Sequence, residues 1–380
     1  MSLRRGSGIL LGVLISSLLG ANCHRSVLGQ EPVNAETWQI SAQASLSLGS
    51  MGGPGSDIWM DVVGLVRTGS GSVAALDRGT GELSFFDSHG HHVRTVGGQG
   101  EGPGEFRSPE SLLRCAGDSL FVVDRRLGRI SVFAPDGEYI RQISSLGPQD
   151  GWIPADFTCN SAGSFATTLR SLQSLLSQEG SVRAGTKVEV SSGVGAPIVL
   201  GPFPGDEVLS VRGNFMSPPF SVTTSVLLGH DRLYLGTSDA PDLAIYSLTG
   251  RKIGTIAHGI PRKPLTGAII REKAQSMSEQ TPDPDASYRF WSDLEYPEHL
   301  PAFDQALIDS AGNLWIREYP PTEADTANWR IFDPEGSLVA TLAMPAGFRV
   351  FEASPSAVLV KHSDQYGVEH AEIYEVRRET

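Results

Sequence analysis

Five carboxylates, Asp61, Glu110, Asp156, Asp304 and Glu352, recur near the starts of short apolar segments along the chain. Gathered at one mouth of a channel, such a ring of hard oxygen donors suits Ca²⁺ or another divalent cation. The same pattern has a plainer reading. Acids so placed cap turns, pair with basic neighbours such as Arg107 and Arg349, or face water, because unpaired like charges held close repel. His89, His91 and His92 have the side chains of a metal cluster, but they fall on a hairpin turn and read as solvated. The Gly-dense stretch GGQGEGPGEF, Gly97 to Phe106, invites a phosphate-loop reading. It lacks the Lys-Ser/Thr pair and the helix whose amides would face a phosphate, so it reads as a connector on a tight path. Neither HExxH nor GxSxG occurs, which removes the metalloprotease and nucleophile-elbow chemistries.

Cys115 and Cys159 each follow the first strand of adjacent repeats. They could form a bridge if their Cα atoms come within about 7 Å; the alternative is two small buried thiols.

The elements that position these residues come from a repeat. Ser119 to Ile143, SLFVVDRRLGRISVFAPDGEYIRQI, contains an apolar run at Leu120 to Val123, a second strand at Arg129 to Phe133, the turn Pro135-Asp136-Gly137, and a third strand at Tyr139 to Ile143. Val73 to Val96 aligns with it without a gap, placing Asp77 on Asp124, Phe86 on Phe133 and Gly90 on Gly137. Leu233 to Ile256 and, in its second half, Asn313 to Leu342 repeat the theme through Tyr246 and Gly250 and through Phe332 and Gly336. Repeated four-stranded units of this kind stack as the blades of a β-propeller. With Tyr374, these aromatics form an inter-blade core series. Asp77 and Asp124, each followed by Arg, read as scaffold groups that accept turn amides, since an active site needs its groups only once.

Arg4 and Arg5 precede an apolar run at Ile9 to Leu19, too short to span a bilayer, so residues 1–29 read as a signal peptide. Leu19 to Cys23 resembles a lipoprotein processing site with Asn22 in place of a small residue; lipidation at Cys23, cleavage after Ala21 and cleavage after Gly29 all stay open. Residues 30–380 fit one all-β, six-bladed propeller, with blades beginning near Asp57, Phe106, Trp152, Ser221, Pro301 and Phe348. The net charge of −13 disfavours nucleic acid, which needs a basic face.

Trp38 to Leu48 reads as an outermost strand with no inner strands before it, and the last three strands, ending at Glu369 to Val376, lack a fourth. Pairing the two ends closes the ring and removes an exposed edge. The insertion at residues 259–300 is expected to hold a helix from Thr266 to Met277 and then an irregular surface stretch lying over one channel mouth.

The segments GQGEGPGEFRSP, SLFVVDRRLGRISVFAPDGEYIRQI and LPAFDQALIDSAGNLWIREYP resemble the NHL-type six-bladed propeller proteins of bacteria, secreted or lipid-anchored. The third blade, Trp152 to Pro204, departs from that pattern. The resemblance implies export and a scaffold that serves interaction in some proteins and lyase or hydrolase chemistry in others. Two functions are therefore expected to compete. One is an extracytoplasmic, monomeric binding module for a protein, peptide or glycan, needing no cofactor and touching a membrane only through a lipid on Cys23. The other is a divalent-cation-dependent hydrolase or lyase using the five carboxylates.

Overall fold

A computed structural model describes residues 35–49, 59–144, 149–177, 179–192, 196–279, 281–320, 322 and 326–378. The expected leader, residues 1–29 with Cys23, lies outside the described residues, as does Asp57.

The sequence repeat folds as an antiparallel meander. Pro109–Arg114, Leu120–Asp124, Arg129–Phe133 and Tyr139–Ile143 form one four-stranded sheet in chain order. Its middle strands are covered on both faces, which is why they are apolar without alternation. Residues 62–97 form a first meander and residues 224–257 a fourth, each four-stranded; residues 152–216 form a five-stranded third. The third also carries a short helix, α1 (Leu172–Leu176), between its second and third strands. Residues 303–345 and 349–378 supply four and three more strands, the fifth and sixth meanders, which the N-terminal strands join into one nine-stranded sheet. The first strands of the six meanders contact one another in sequence, and Arg349–Ser354 of the last contacts Val62–Arg67 of the first. Apolar side chains fill the seams between meanders.

The turn between third and fourth strands is the same in four meanders. Gly90, Gly137, Gly250 and Gly336 all have φ between 83° and 91° and donate to the carbonyl three residues back. At Gly137 the chain also passes the Phe85 ring so closely that an added Cβ would sit 2.5 Å from it.

The buried Asp77 and Asp124 tie each second strand to the incoming connector. Asp124 accepts from the backbone N–H of Arg107 (2.7 Å), Ser108 (3.1 Å) and Leu127 (3.0 Å). Asp77 accepts from Met60, Asp61 and Gly79 in the same way. Asp124→Ala leaves three amides without their acceptor, so it is expected to lower unfolding free energy by about 2–4 kcal/mol in a urea titration. An unchanged midpoint would show that water replaces the carboxylate.

The connector Gly97 to Phe106 turns its carbonyls toward a cation. Arg129, buried in the second meander, donates to Glu101 O, Gly102 O and Glu105 O at 2.6–3.0 Å. This is a stapled turn, not a cradle of amides. The His89–His92 turn is exposed; His91 Nδ1 meets Asp87 Oδ2 at 3.1 Å and His92 Nε2 meets Thr95 at 2.8 Å.

Two local expectations need correction. Trp38 to Leu48 is not one strand but two, Glu36–Ile40 and Leu46–Leu48, because Ser41 bonds its own loop at Gln43 O (2.7 Å) and lifts the chain between them. Both pair antiparallel with Glu369–Arg378, Ile40 opposite Val376 and Leu48 opposite Ala371. Glu36–Ile40 also lies parallel to Leu338–Pro345 on its other side, Trp38 opposite Leu342. Second, the insertion is helical twice. Besides α2 (Gly267–Ser278), capped by Thr266, the stretch expected to be irregular contains α3 (Pro284–Ser292). Asp283 accepts from Ala286 N at 3.0 Å and Pro284 presets the first turn. Among the described residues no helix is long and apolar enough to cross a membrane.

Candidate functional site

The five carboxylates are sorted by a feature that no residue type announces. Five of the six inner strands carry a β-bulge near their start, at Val63, Glu110, Ala155, Asp304 and Phe351. A bulge adds one residue to one strand and re-aims the side chains beyond it. Glu110 and Asp304 are therefore the bulged residues themselves, Asp156 and Glu352 lie one residue past the bulge, and Asp61 precedes its strand altogether.

Their partners differ accordingly. Arg78 Nε donates to Asp61 at 2.7 Å, and Arg125 is ion-paired to Glu110. Arg317 grips both oxygens of Asp304 at 2.7 Å each. Glu352 lies 3.8 Å from Arg114. Asp156 accepts from Phe157 N at 2.7 Å, is exposed at the strand surface and has no ion pair among the described residues. Burial pushes the carboxyls of Asp156 and Glu352 up from the ordinary range. Among the described residues no three His, Cys, Asp or Glu side chains are grouped so as to hold a cation. The carboxylates thus serve mostly as partners of arginines that tie neighbouring strands.

A different constellation gathers where α2 crosses the starts of the fifth and sixth meanders. There a cavity of about 750 Å³ opens between Ile269, Glu272, Lys273 and Ser276 of α2 and the strand ends beneath. The floor is fixed. Arg317, held by Asp304, also donates to Phe348 O at 2.7 Å, and Gln305 bonds the backbone of Val350 on both its N–H and C=O. One side is aromatic: Phe220 stands 5.6 Å from Tyr296 and 6.3 Å from Tyr319, ring centre to ring centre. Phe220 is held at φ 62°, a conformation that costs a bulky residue strain and that tends to be retained at functional sites. Burial pushes the Tyr296 hydroxyl up to about 12, and that hydroxyl donates to Trp291 O at 2.8 Å.

Arg349 completes the floor. Its guanidinium lies 5.0 Å from the Phe351 ring centre, and no carboxylate of the described residues is within ion-pair distance. The sequence suggests an acid partner for Arg349; the structure supplies none. Burial first, and then the charge of Arg317, pushes its pKa below the usual arginine value, while the charges of Asp61 and Glu369 act in the opposite direction. Glu369, an acid that would otherwise serve, is occupied by Lys361 Nζ at 2.6 Å and Val62 N at 2.5 Å.

The insertion is laced at its base. Leu265 N donates to Glu298 O at 2.9 Å, Leu300 N to Lys263 O at 2.8 Å, and Arg262 to the carbonyls of Leu300 and His299 at 3.1 and 3.0 Å. Ala274 and Ser278 bury one edge of α2. A floor carrying Arg317 and Arg349 thus lies under a cover fixed at its root, beside an aromatic surface and with Glu272 and Lys273 of α2 also in the lining. The sequence points to the cover but not to Arg317, Phe220 and Tyr319, which it gives no reason to associate.

No protein-family model matches the chain, and no curated protein matches it at a significant level. Solved structures do. A member of the DUF4221 family from Bacteroides vulgatus superposes with a TM-score of 0.50 at 10% identity, over 91% of this chain and 100% of that one. A gluconolactonase from Xanthomonas campestris gives 0.47 at 9%, covering 89% and 100%, and a virginiamycin B lyase from Staphylococcus aureus 0.42 at 9%, covering 89% and 99%. At such identities what is shared is architecture, and that architecture is the β-propeller.

Proposed function

We propose that this chain is an extracytoplasmic, six-bladed β-propeller, closed by its N-terminal strand, that binds a protein, peptide or glycan through an acidic group seated beneath α2. The observation that carries the reading is Arg349, an exposed cation in the lining of the cavity of about 750 Å³ that has no ion-paired carboxylate among the described residues. Closure is supported by the pairing of Glu36–Ile40 with strands on both sides. The six first strands that meet in cyclic order support the blade number. Export is supported by the Arg-flanked apolar leader. The cation-dependent hydrolase or lyase has weaker support, because three of its five candidate ligands, Asp61, Glu110 and Asp304, are each engaged by a different arginine.

Titration calorimetry of the folded chain with oligogalacturonate and with a glutamate-rich peptide tests this. At least one should bind, with affinity falling as salt rises, and Arg349→Gln should weaken it tenfold or more, about 1.4 kcal/mol. Failure of both ligands, or equal binding by the variant, would remove the proposal.

A further inference from the structure

The seam between the second and third meanders is built unlike the other five. In every other meander an aromatic on the third or last inner-packed strand stands opposite an aliphatic residue: Phe86 opposite Val73, Phe133 opposite Leu120, Tyr246 opposite Leu233, Phe332 opposite Leu314 and Tyr374 opposite Val358. Each of these rings packs into the seam toward the preceding meander. In the third meander the order is inverted, with Ser191 opposite Phe165. The large residue has moved to the other strand, where it is 38% exposed. The seam's buried apolar cluster then consists of Val123, Ile130 and Phe157. Along this seam opens a cleft of about 880 Å³, with Phe165, Lys187 and Glu189 in its lining.

Its walls are unequal. The second meander contributes Ile130, Val132 and Ile140, and a ladder of near-parallel rings continues across the floor: Phe121 to Phe157 at 6.4 Å and 13°, Phe157 to Phe165 at 5.8 Å and 25°. The facing strand Gly180–Ser191 turns Val188 and Val190 to the fourth meander and presents Lys187 and Glu189 to the cleft. Lys187 Nζ is fixed 4.0 Å above the Trp152 ring centre. Arg141 adds a second cation, and neither has a carboxylate within ion-pair distance among the described residues. Glu189, two residues from Lys187 on the same face, and Asp150 are acceptors. The Cys115–Cys159 bond closes the inner end.

We propose that this cleft is a second binding site, separate from the cavity under α2, for a small flat aromatic anion that also carries an N–H or O–H donor. Its rings would lie along the Phe121, Phe157 and Phe165 ladder, its charge on Lys187 and its donor on Glu189. The size suits a ligand of two or three rings, and an aromatic face plus a positioned cation selects both features at once.

Two probes isolate the parts. 1-Anilinonaphthalene-8-sulfonate has the rings, the N–H and the anion; N-phenyl-1-naphthylamine has the rings and N–H alone. Fluorescence titration of the folded chain should show saturable one-to-one binding of the sulfonate. Lys187→Ala should weaken it at least tenfold while leaving the neutral probe within twofold. Ser191→Phe, which restores the ring found in the other meanders, should abolish binding of both probes; Phe165→Ala, at an exposed side chain, should weaken both and serves if the filled variant fails to fold. Arg349→Gln should change neither. Sulfonate binding indifferent to Lys187→Ala, equal affinity for the two probes, binding that survives both cleft substitutions, or no saturable binding would each overturn the proposal.

Discussion

Removing residues 1–48 is expected to destabilise the whole fold, not only its end. Glu36–Ile40 bonds Leu338–Pro345 on one side and Glu369–Arg378 on the other, so its loss bares two sheet edges at once. It also empties a core position. Trp38 is 4% exposed, packs 5.8 Å from Trp315 ring to ring, and belongs to the apolar cluster that joins the fifth and sixth meanders. Trp38→Ala alone should lower stability by about 3–5 kcal/mol. The truncation should cost more, appearing as a large fall in melting temperature or as insoluble protein, since units that stack only on neighbours share their stability through each seam. If the truncated chain melts with the full one, the N-terminal strand does not close the ring.

Breaking the Cys115–Cys159 bond is the second large effect. Its Cα atoms are 5.5 Å apart and 44 residues separate it along the chain. A loop of that size restricts the unfolded chain enough to stabilise by about 2–4 kcal/mol, and here the bond spans the seam with the fewest buried apolar contacts. The Cys115→Ala, Cys159→Ala double variant should unfold at correspondingly lower urea. Titration of thiols in denatured, unreduced protein should find neither sulfur free. Two free thiols, or an unchanged urea midpoint, would contradict the bridge.

How far the sequence reaches depends on what marks each feature. The meander repeat is legible because its turns require Gly at positive φ and its seams require aromatics, so Gly90, Gly137, Gly250 and Gly336 and their paired rings stand out at fixed spacing. The bulges are not, since Val63, Glu110, Ala155, Asp304 and Phe351 share no residue type. Without them the five carboxylates look equivalent, and they are not. Helix α3 is hidden because Pro, acids and aromatics dominate its composition, although Asp283-Pro284 is a competent start. Arg349 is visible as a charge. Its want of a partner is a property of three-dimensional neighbours alone.

Amide hydrogen exchange, with and without a saturating acidic ligand, tests the cavity under α2 most directly. The ligand is whichever oligogalacturonate or glutamate-rich peptide binds in calorimetry. Protection is expected to rise in Gly267–Ser278 and around residues 346–350, with the seam at residues 115–165 unchanged. Protection confined to other segments, or none at saturation, would contradict binding beneath α2.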